Sequence, residues 1–129
     1  MMVIDTDVLI DHFHNNHLAT AFIQQTVLEG KTIFISVVTV TEILAGLRSG
    51  EENATEALLS LFTIRNVDEN IARMAGYYLN QYRKSHKIDL GDALIAATAK
   101  TTGSALYTRN SRHYPMLDID VRIPYQRGN

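Results

Sequence analysis

Asp5, Glu42 and Asp92 lie far apart in the chain, yet each stands where an apolar run meets a helical pattern. Asp5 directly follows Met2-Val3-Ile4. Glu42 falls one turn into the helix expected after Thr32–Ser36. Asp92 opens the apolar stretch Ala93–Ala97, and Thr108-Arg109-Asn110 closes a further apolar run that begins at Ala105. Two carboxylates about 4 Å apart repel by roughly 4 kcal/mol at an effective dielectric near 20. Their convergence therefore requires a shared proton or a divalent cation between them. Oxygen donors without Cys or His suit Mg2+, or Mn2+, better than zinc. A Mg2+ ion held by few carboxylates keeps waters, one of which can attack a phosphodiester. That is nuclease chemistry.

Each acid also has a plainer reading. Asp5 can end a strand through an Asx-turn. Thr39-x-x-Glu42 matches a capping box, which would only satisfy a helix N-terminus. Asp89 and Asp92 together would favour the positive end of a helix dipole, although a carboxylate entering so apolar a helix needs a partner. Asp7 and Asp11 read as cap and solvent-facing residues, and His12, His14 and His17 as surface histidines whose spacing is poor for a zinc site.

The elements that would position these residues follow from periodicity. Met2–Ile4, Thr32–Ser36, a strand starting at Phe62, Ala105–Thr108 and a short run over 119–123 read as five strands. Helical patterns cover Val8–Phe13, 17–29 with Leu18, Ala21, Phe22 and Leu28 inward, Val40–Leu47, and 51–61. A longer one runs from an Asp68 cap to Arg83, and the last is the buried helix that Gly103 ends. Strands alternating with helices predict a mainly parallel central sheet of about five strands in a three-layer α/β/α sandwich, as a single domain over residues 1–129. In such sheets ligands bind beyond the carboxyl ends of the strands, where all three acids fall.

Composition narrows the classes. There is no cysteine, which excludes disulfides, zinc–thiolate sites and cysteine nucleophiles. No apolar run approaches the ~20 residues of a membrane helix, and no secretory signal is visible, so a cytoplasmic protein is expected. The net charge of −2 conceals an asymmetry: residues 1–64 carry two basic and eight acidic side chains, residues 65–129 ten basic and six acidic. An acidic site facing a basic rim and ordinary solvated helix faces both produce that pattern.

The motifs, taken in order, resemble those of the PIN-domain family. Val3-Ile4-Asp5-Thr6-Asp7-Val8-Leu9-Ile10 resembles its opening motif, Thr41-Glu42-Ile43-Leu44-Ala45-Gly46-Leu47 its second, and Asp92-Ala93-Leu94-Ile95-Ala96-Ala97-Thr98-Ala99 its third. Leu106-Tyr107-Thr108-Arg109-Asn110 occupies the place of the fourth, with Asn110 where many members carry aspartate. The resemblance spans residues 2 to about 114, and it is to the VapC-type toxins of VapBC toxin–antitoxin systems. It implies a Mg2+- or Mn2+-dependent endoribonuclease, with Asp5, Glu42, Asp92 and Asn110 catalytic. Asp5 and Asp92 would hold the metal, and Glu42 would hold it through water or help deprotonate the nucleophile. Thr6, Thr108, Arg109, Arg112, Arg83, Lys84 and Lys87 would position the RNA, possible substrates including tRNA. The resemblance further implies a homodimer and a VapB-like antitoxin lying over the site, for which Phe13, Phe22 and Leu47 are candidate contacts.

Three alternatives stay open on the residues alone. Asp5-Thr6-Asp7 imitates the Asp-x-Asp of haloacid-dehalogenase-type phosphatases, although Leu9 stands where their threonine is expected. A receiver-type module also clusters acids on a parallel sheet, but Phe62–Val67 offers no phosphoacceptor. The third is a PIN fold that binds RNA without cutting it.

Overall fold

The computed structural model describes residues 1–126 and contains five strands, six α-helices and one 3-10 turn. In order these are β1 (Met2–Ile4), α1 (Thr6–Phe13), α2 (His17–Leu28), β2 (Ile33–Ser36), α3 (Val37–Ala45), α4 (Glu52–Leu59), β3 (Thr63–Arg65), α5 (Glu69–His86), α6 (Leu90–Thr102), β4 (Ala105–Tyr107), a 3-10 turn (Ser111–His113) and β5 (Val121–Arg122). All strand pairs are parallel, in the order β3-β2-β1-β4-β5. Strand order reverses between β1 and β4, the kind of switch point whose crevice takes the ligand in open parallel sheets.

The three layers are written in the alternation of the central strands. Val3 and Phe34 point into a cluster with Ile71, Tyr78, Ile95 and Leu106, under α5 and α6. Met2, Ile4, Ile33 and Ile35 point the other way, onto Val8, Ile23, Ile43 and Leu58 of α1–α4. Val3, Ile4, Ile35 and Leu106 are wholly buried, each contributing about 1.5–3 kcal/mol by leaving water. This is why the strands read as continuous apolar runs rather than as polar–apolar alternation.

Local chemistry moves several boundaries. The helix expected from Val40 begins at Val37, because the Ser36 hydroxyl accepts from the Val38 N–H at 3.1 Å and caps it. Thr39 is thus inside the helix, and the capping-box reading of Glu42 does not hold. In α2 the buried residues are Ala19, Ile23 and Thr26, whereas Ala21 and Leu28 face solvent. The helix expected to stop at Arg83 continues to His86. Lys87 closes it in the left-handed region, at φ 51°, a place usually taken by glycine. The fifth strand shrinks to two residues. No helix among the described residues is long and apolar enough to cross a membrane.

Candidate active site

The Asp5 N–H donates to the Tyr107 carbonyl at 2.9 Å, which sets the carboxyl end of β1 beside that of β4. Asp5 then caps α1, Oδ1 accepting from the Thr6 N–H at 2.7 Å. Its Oδ2 accepts from the Thr108 and Tyr114 hydroxyls, both at 2.8 Å. The carboxylate is buried, and every group that bonds it is neutral. Burial pushes its pKa up, against the pull of the Tyr114, Thr108 and Thr6 bonds.

Asp92 approaches from the first turn of α6. The Tyr114 hydroxyl, buried, lies 2.8 Å from Asp5 and 3.4 Å from Asp92 Oδ1. Two carboxylates therefore face one another across a single hydroxyl. Burial, the Asp89 charge and the Asp5 charge together push Asp92 up to about 7, opposed by His113, whose Nδ1 is 3.5 Å from Asp92 Oδ2. Asp89 caps α6, accepting from the Asp92 N–H at 2.8 Å. Of the two acids at this helix start, Asp89 caps, and Asp92 turns to Tyr114 and His113.

Glu42 is held differently. It is exposed on the second turn of α3, and Thr6 donates to its Oε1 at 2.7 Å. The Thr6 hydroxyl also lies 2.9 Å from that of buried Thr39. One hydroxyl carries one proton, so Thr39 donates to Thr6 and Thr6 to the carboxylate. Gly91 brings the start of α6 close, a Cβ there lying 3.9 Å from Glu42 Oε2.

Asp7, expected to be a cap or solvent-facing residue, is neither: it lies half-buried in the first turn of α1, close to Asp5. Its Oδ2 accepts from the Arg109 N–H at 3.0 Å and the Asn110 side-chain amide at 3.1 Å, with Thr108 at 3.3 Å. Its Oδ1 is buried without a partner. Burial, then the Asp5 charge, push Asp7 up to about 6. Asn110 is thus a donor to Asp7, a role that an aspartate at 110 could not fill without like-charge repulsion.

The positioning residues divide. Thr6 and Thr108 hold carboxylates rather than facing solvent, and Thr108 is wholly buried. The Arg109 side chain is turned away from the crevice into an ion pair with Asp11, each side chain 14% exposed, while Tyr125 donates to Asp11 at 2.6 Å. The expectation of Arg109 as a phosphate contact, and of Asp11 as solvent-facing, gives way to this half-buried cluster. Arg83, Lys84, Lys87 and Arg112 are exposed. Of the three candidate partner contacts, Phe13 and Leu47 line one cleft of about 310 Å³ with Ile10, Ile43, Arg48 and Glu42. Phe22 is not there; its ring packs on Tyr107 at 5.4 Å. His12 bonds Thr20 at 2.7 Å, as an ordinary surface histidine can.

Nothing in the sequence marks Tyr114 or His113 as neighbours of the acids, and Asp7 stands out only through its spacing from Asp5. Tyr114 and His113 reach the acids only because a tight turn after β4 folds the chain back over α6. Among the described residues no three His, Asp or Glu side chains form a preformed metal cage. The donor set still fits a hydrated cation. Mg2+ keeps several waters and binds through one or two carboxylates, and the crevice offers Asp5 and Asp92 with no lysine or arginine bonded to either.

A PIN-domain family model matches residues 2–116. Ribonuclease VapC19 of Mycobacterium tuberculosis is 39% identical over 126 residues, covering 97% of this chain and 100% of the relative. Ribonuclease VapC10 of the same organism is 39% identical over 119 residues, covering 92% and 89%. A chain of a toxin–antitoxin complex from Klebsiella pneumoniae superimposes with a TM-score of 0.78 at 30% identity, covering 98% of this chain and 99% of that one.

Proposed function

Because the chain belongs to the PIN-domain family, we propose that it is a Mg2+-dependent endoribonuclease, the toxin of a VapBC-type pair, hydrolysing RNA phosphodiester bonds. The observation that carries this reading is the pair Asp5 and Asp92, buried or half-buried, facing each other across the Tyr114 hydroxyl with no lysine or arginine to balance them. The names of the 39%-identical relatives support the ribonuclease class. Asp-x-Asp phosphatase and receiver chemistry have no such support.

Asp5 and Asp92 would hold the Mg2+. A bound Mg2+ supplies positive charge that acidifies a water and offsets charge developing on phosphoryl oxygens. Glu42, exposed and oriented by Thr6, would hold the ion through water or take a proton from the attacking water. Thr108 and Tyr114 fix the Asp5 carboxylate, and Asn110 fixes Asp7 beside it. Asp5, Thr108 and Asp92 are built into strand ends and a helix start, so little reorganisation of these groups accompanies reaction.

The regulatory partner is a VapB-like antitoxin, supported by the toxin–antitoxin complex among the similar structures. Its segment would lie in the cleft of Ile10, Phe13, Ile43 and Leu47, which leads to Glu42. We take residues 1–129 as one PIN domain acting in the cytoplasm as a homodimer, checked by sedimentation; Leu90, 64% exposed at the start of α6, is apolar surface a second copy could bury.

The test is cleavage of total cellular RNA by the purified, antitoxin-free protein with Mg2+ or Mn2+, with EDTA, and with Asp5→Asn. Discrete fragments that need both the metal and Asp5 establish the activity, and end-mapping names the RNA, tRNA included. Intact RNA from a folded, metal-binding preparation overturns it in favour of a non-cleaving RNA-binding PIN domain.

A further inference from the structure

The basic side chains of the described residues fall into two groups. Lys31, Arg73, Lys100, Arg109 and Arg122 each stand against a carboxylate, and Arg65 lies over the Phe34 ring. Arg48 takes part in none of those ion pairs and is exposed, lining the cleft with Glu42. Arg83, Lys84, Lys87 and Arg112 likewise take part in none of those ion pairs and are exposed. These four gather at the C-terminal end of α5 and the 3-10 turn. Lys87 and Arg112 line one recess of about 440 Å³ with Ser85, His86, Ser111 and Pro115, and no acidic residue lines it.

Basic residues at a helix C-terminus are commonly explained by the helix dipole. That accounts for Arg83, Lys84 and His86. It does not account for Arg112 and Ser111, which come from a different element and close the opposite wall. The same turn links the recess to the acids: Arg112 faces the recess, while the next residue, His113, stands 3.5 Å from Asp92. Lys87, whose left-handed backbone ends α5, leads through buried Ile88 to the Asp89 cap of the helix bearing Asp92.

We propose that this recess seats a backbone phosphate of single-stranded RNA, beside the phosphate presented to the acidic crevice. Lys87 serves as a point charge, the Arg112 guanidinium as a planar fork matched to two phosphate oxygens, and Ser111 as a hydroxyl donor. Interactions of this kind position a strand without reading its sequence. The proposal rests on the ribonuclease reading for its choice of RNA, and its test is separable from that reading.

The measurement is fluorescence anisotropy of a short fluorescein-labelled single-stranded RNA of mixed sequence, titrated over a salt series. Binding is measured in an Asp5→Asn background, so that the RNA stays uncut. Lys87→Ala and Arg112→Ala should each weaken binding up to about fivefold, the upper range for an exposed ion pair, and lower the salt slope by ~0.7 for each phosphate left without its cation. Arg73→Ala, which removes the same charge from the Glu69 pair on α5, should leave both unchanged. An unaltered slope in the first two variants, or an equal weakening in Arg73→Ala, overturns the recess. So does a polyglutamate peptide that binds as tightly as RNA with the same sensitivity, since an acidic protein segment would then be the occupant. Wild-type protein that fails to cut RNA, while binding still depends on Lys87 and Arg112, defeats the nuclease reading and supports the recess. In a cleaving protein the two variants should raise KM and leave kcat unchanged.

Discussion

The two edges of the parallel sheet carry acids under opposite regimes. At the amino edge each nearby carboxylate has a cation: Glu29 has Lys31 at 2.9 Å, Asp118 has Lys100 at 3.8 Å, and Asp120 has Arg122 at 2.7 Å. The Lys31 ammonium, chiefly through its hydrogen bond, holds Glu29 below its usual range. At the carboxyl edge Asp5, Asp7 and Asp92 are bonded by hydroxyls, amides and backbone N–H groups, and burial raises all three. Among the described residues, no lysine or arginine side chain forms an ion pair with any of these three acids. A structure that needed those acids merely as caps would gain nothing from burying three of them together; an incoming cation would.

Breaking the comparison at its strongest point means neutralising Asp5. Asp5→Asn should reduce RNA cleavage by more than ~100-fold, beyond the loss typical of an outer partner of a metal ligand. Asparagine can still accept from the Thr6 N–H, so the helix cap survives. The metal-free melting temperature should hold or rise by a few degrees, because a buried charge has gone. A variant that melts well below wild type would show Asp5 to be structural. At the other edge, Asp118→Asn should leave cleavage unchanged.

Tyr114→Phe comes next. It removes the hydroxyl between Asp5 and Asp92 and keeps the ring in its pocket. If that hydroxyl orients Asp5, Mn2+ affinity followed by electron paramagnetic resonance should fall roughly 10- to 100-fold. Unchanged or tighter Mn2+ binding would show that the hydroxyl merely fills space between the acids.

How much of this is legible in the sequence depends on what local signals can report. Asp5, Glu42 and Asp92 can be found because strand ends and helix starts have local signatures, and Met2–Ile4 and Ala93–Ala97 are unmistakably apolar. The switch point that unites them follows from βα alternation. Ser36 displaces Thr39 as a cap because two strong caps compete three residues apart, and spacing cannot rank them. Asp7 reads as a cap because its donors, the Arg109 N–H and the Asn110 amide, lie about a hundred residues away. Arg109 reads as a phosphate contact for a similar reason, since Asp11 and Tyr125 meet it only in the folded chain. Tyr114 gives no signal at all, its role depending on the fold-back of a turn.

The same contrast predicts how stability responds to pH. Asp92, near 7, and Asp7, near 6, both lie above the ordinary aspartate value of 3.8. Between pH 4 and 7 the unfolded chain therefore loses protons that the folded chain retains, and stability falls as pH rises. Metal-free protein should lose several degrees of melting temperature over that range, and Mg2+ near neutral pH should restore them. Asp92→Asn should flatten the decline. A flat profile in the wild type, or no response to Mg2+, would mean that the carboxyl edge is no more stressed than the amino edge.

The smallest effects belong to the amino edge, and they test whether the contrast concerns charge at all. Lys31→Ala and Lys100→Ala remove cations from exposed pairs, which are worth at most about 1 kcal/mol and are screened by salt. Each should leave denaturant stability nearly unchanged, with no change in cleavage or Mn2+ affinity. Glu29 adds a sign that opposes the other edge. Its lowered pKa contributes stability above the ordinary value that fades as pH falls through the folded one. Lys31→Ala should remove only that acid-side trend and leave the decline toward pH 7 in place. If it altered the neutral decline as well, the two edges would be coupled through the sheet, and the unbalanced charge at Asp5 and Asp92 could not be treated as a property of the crevice alone.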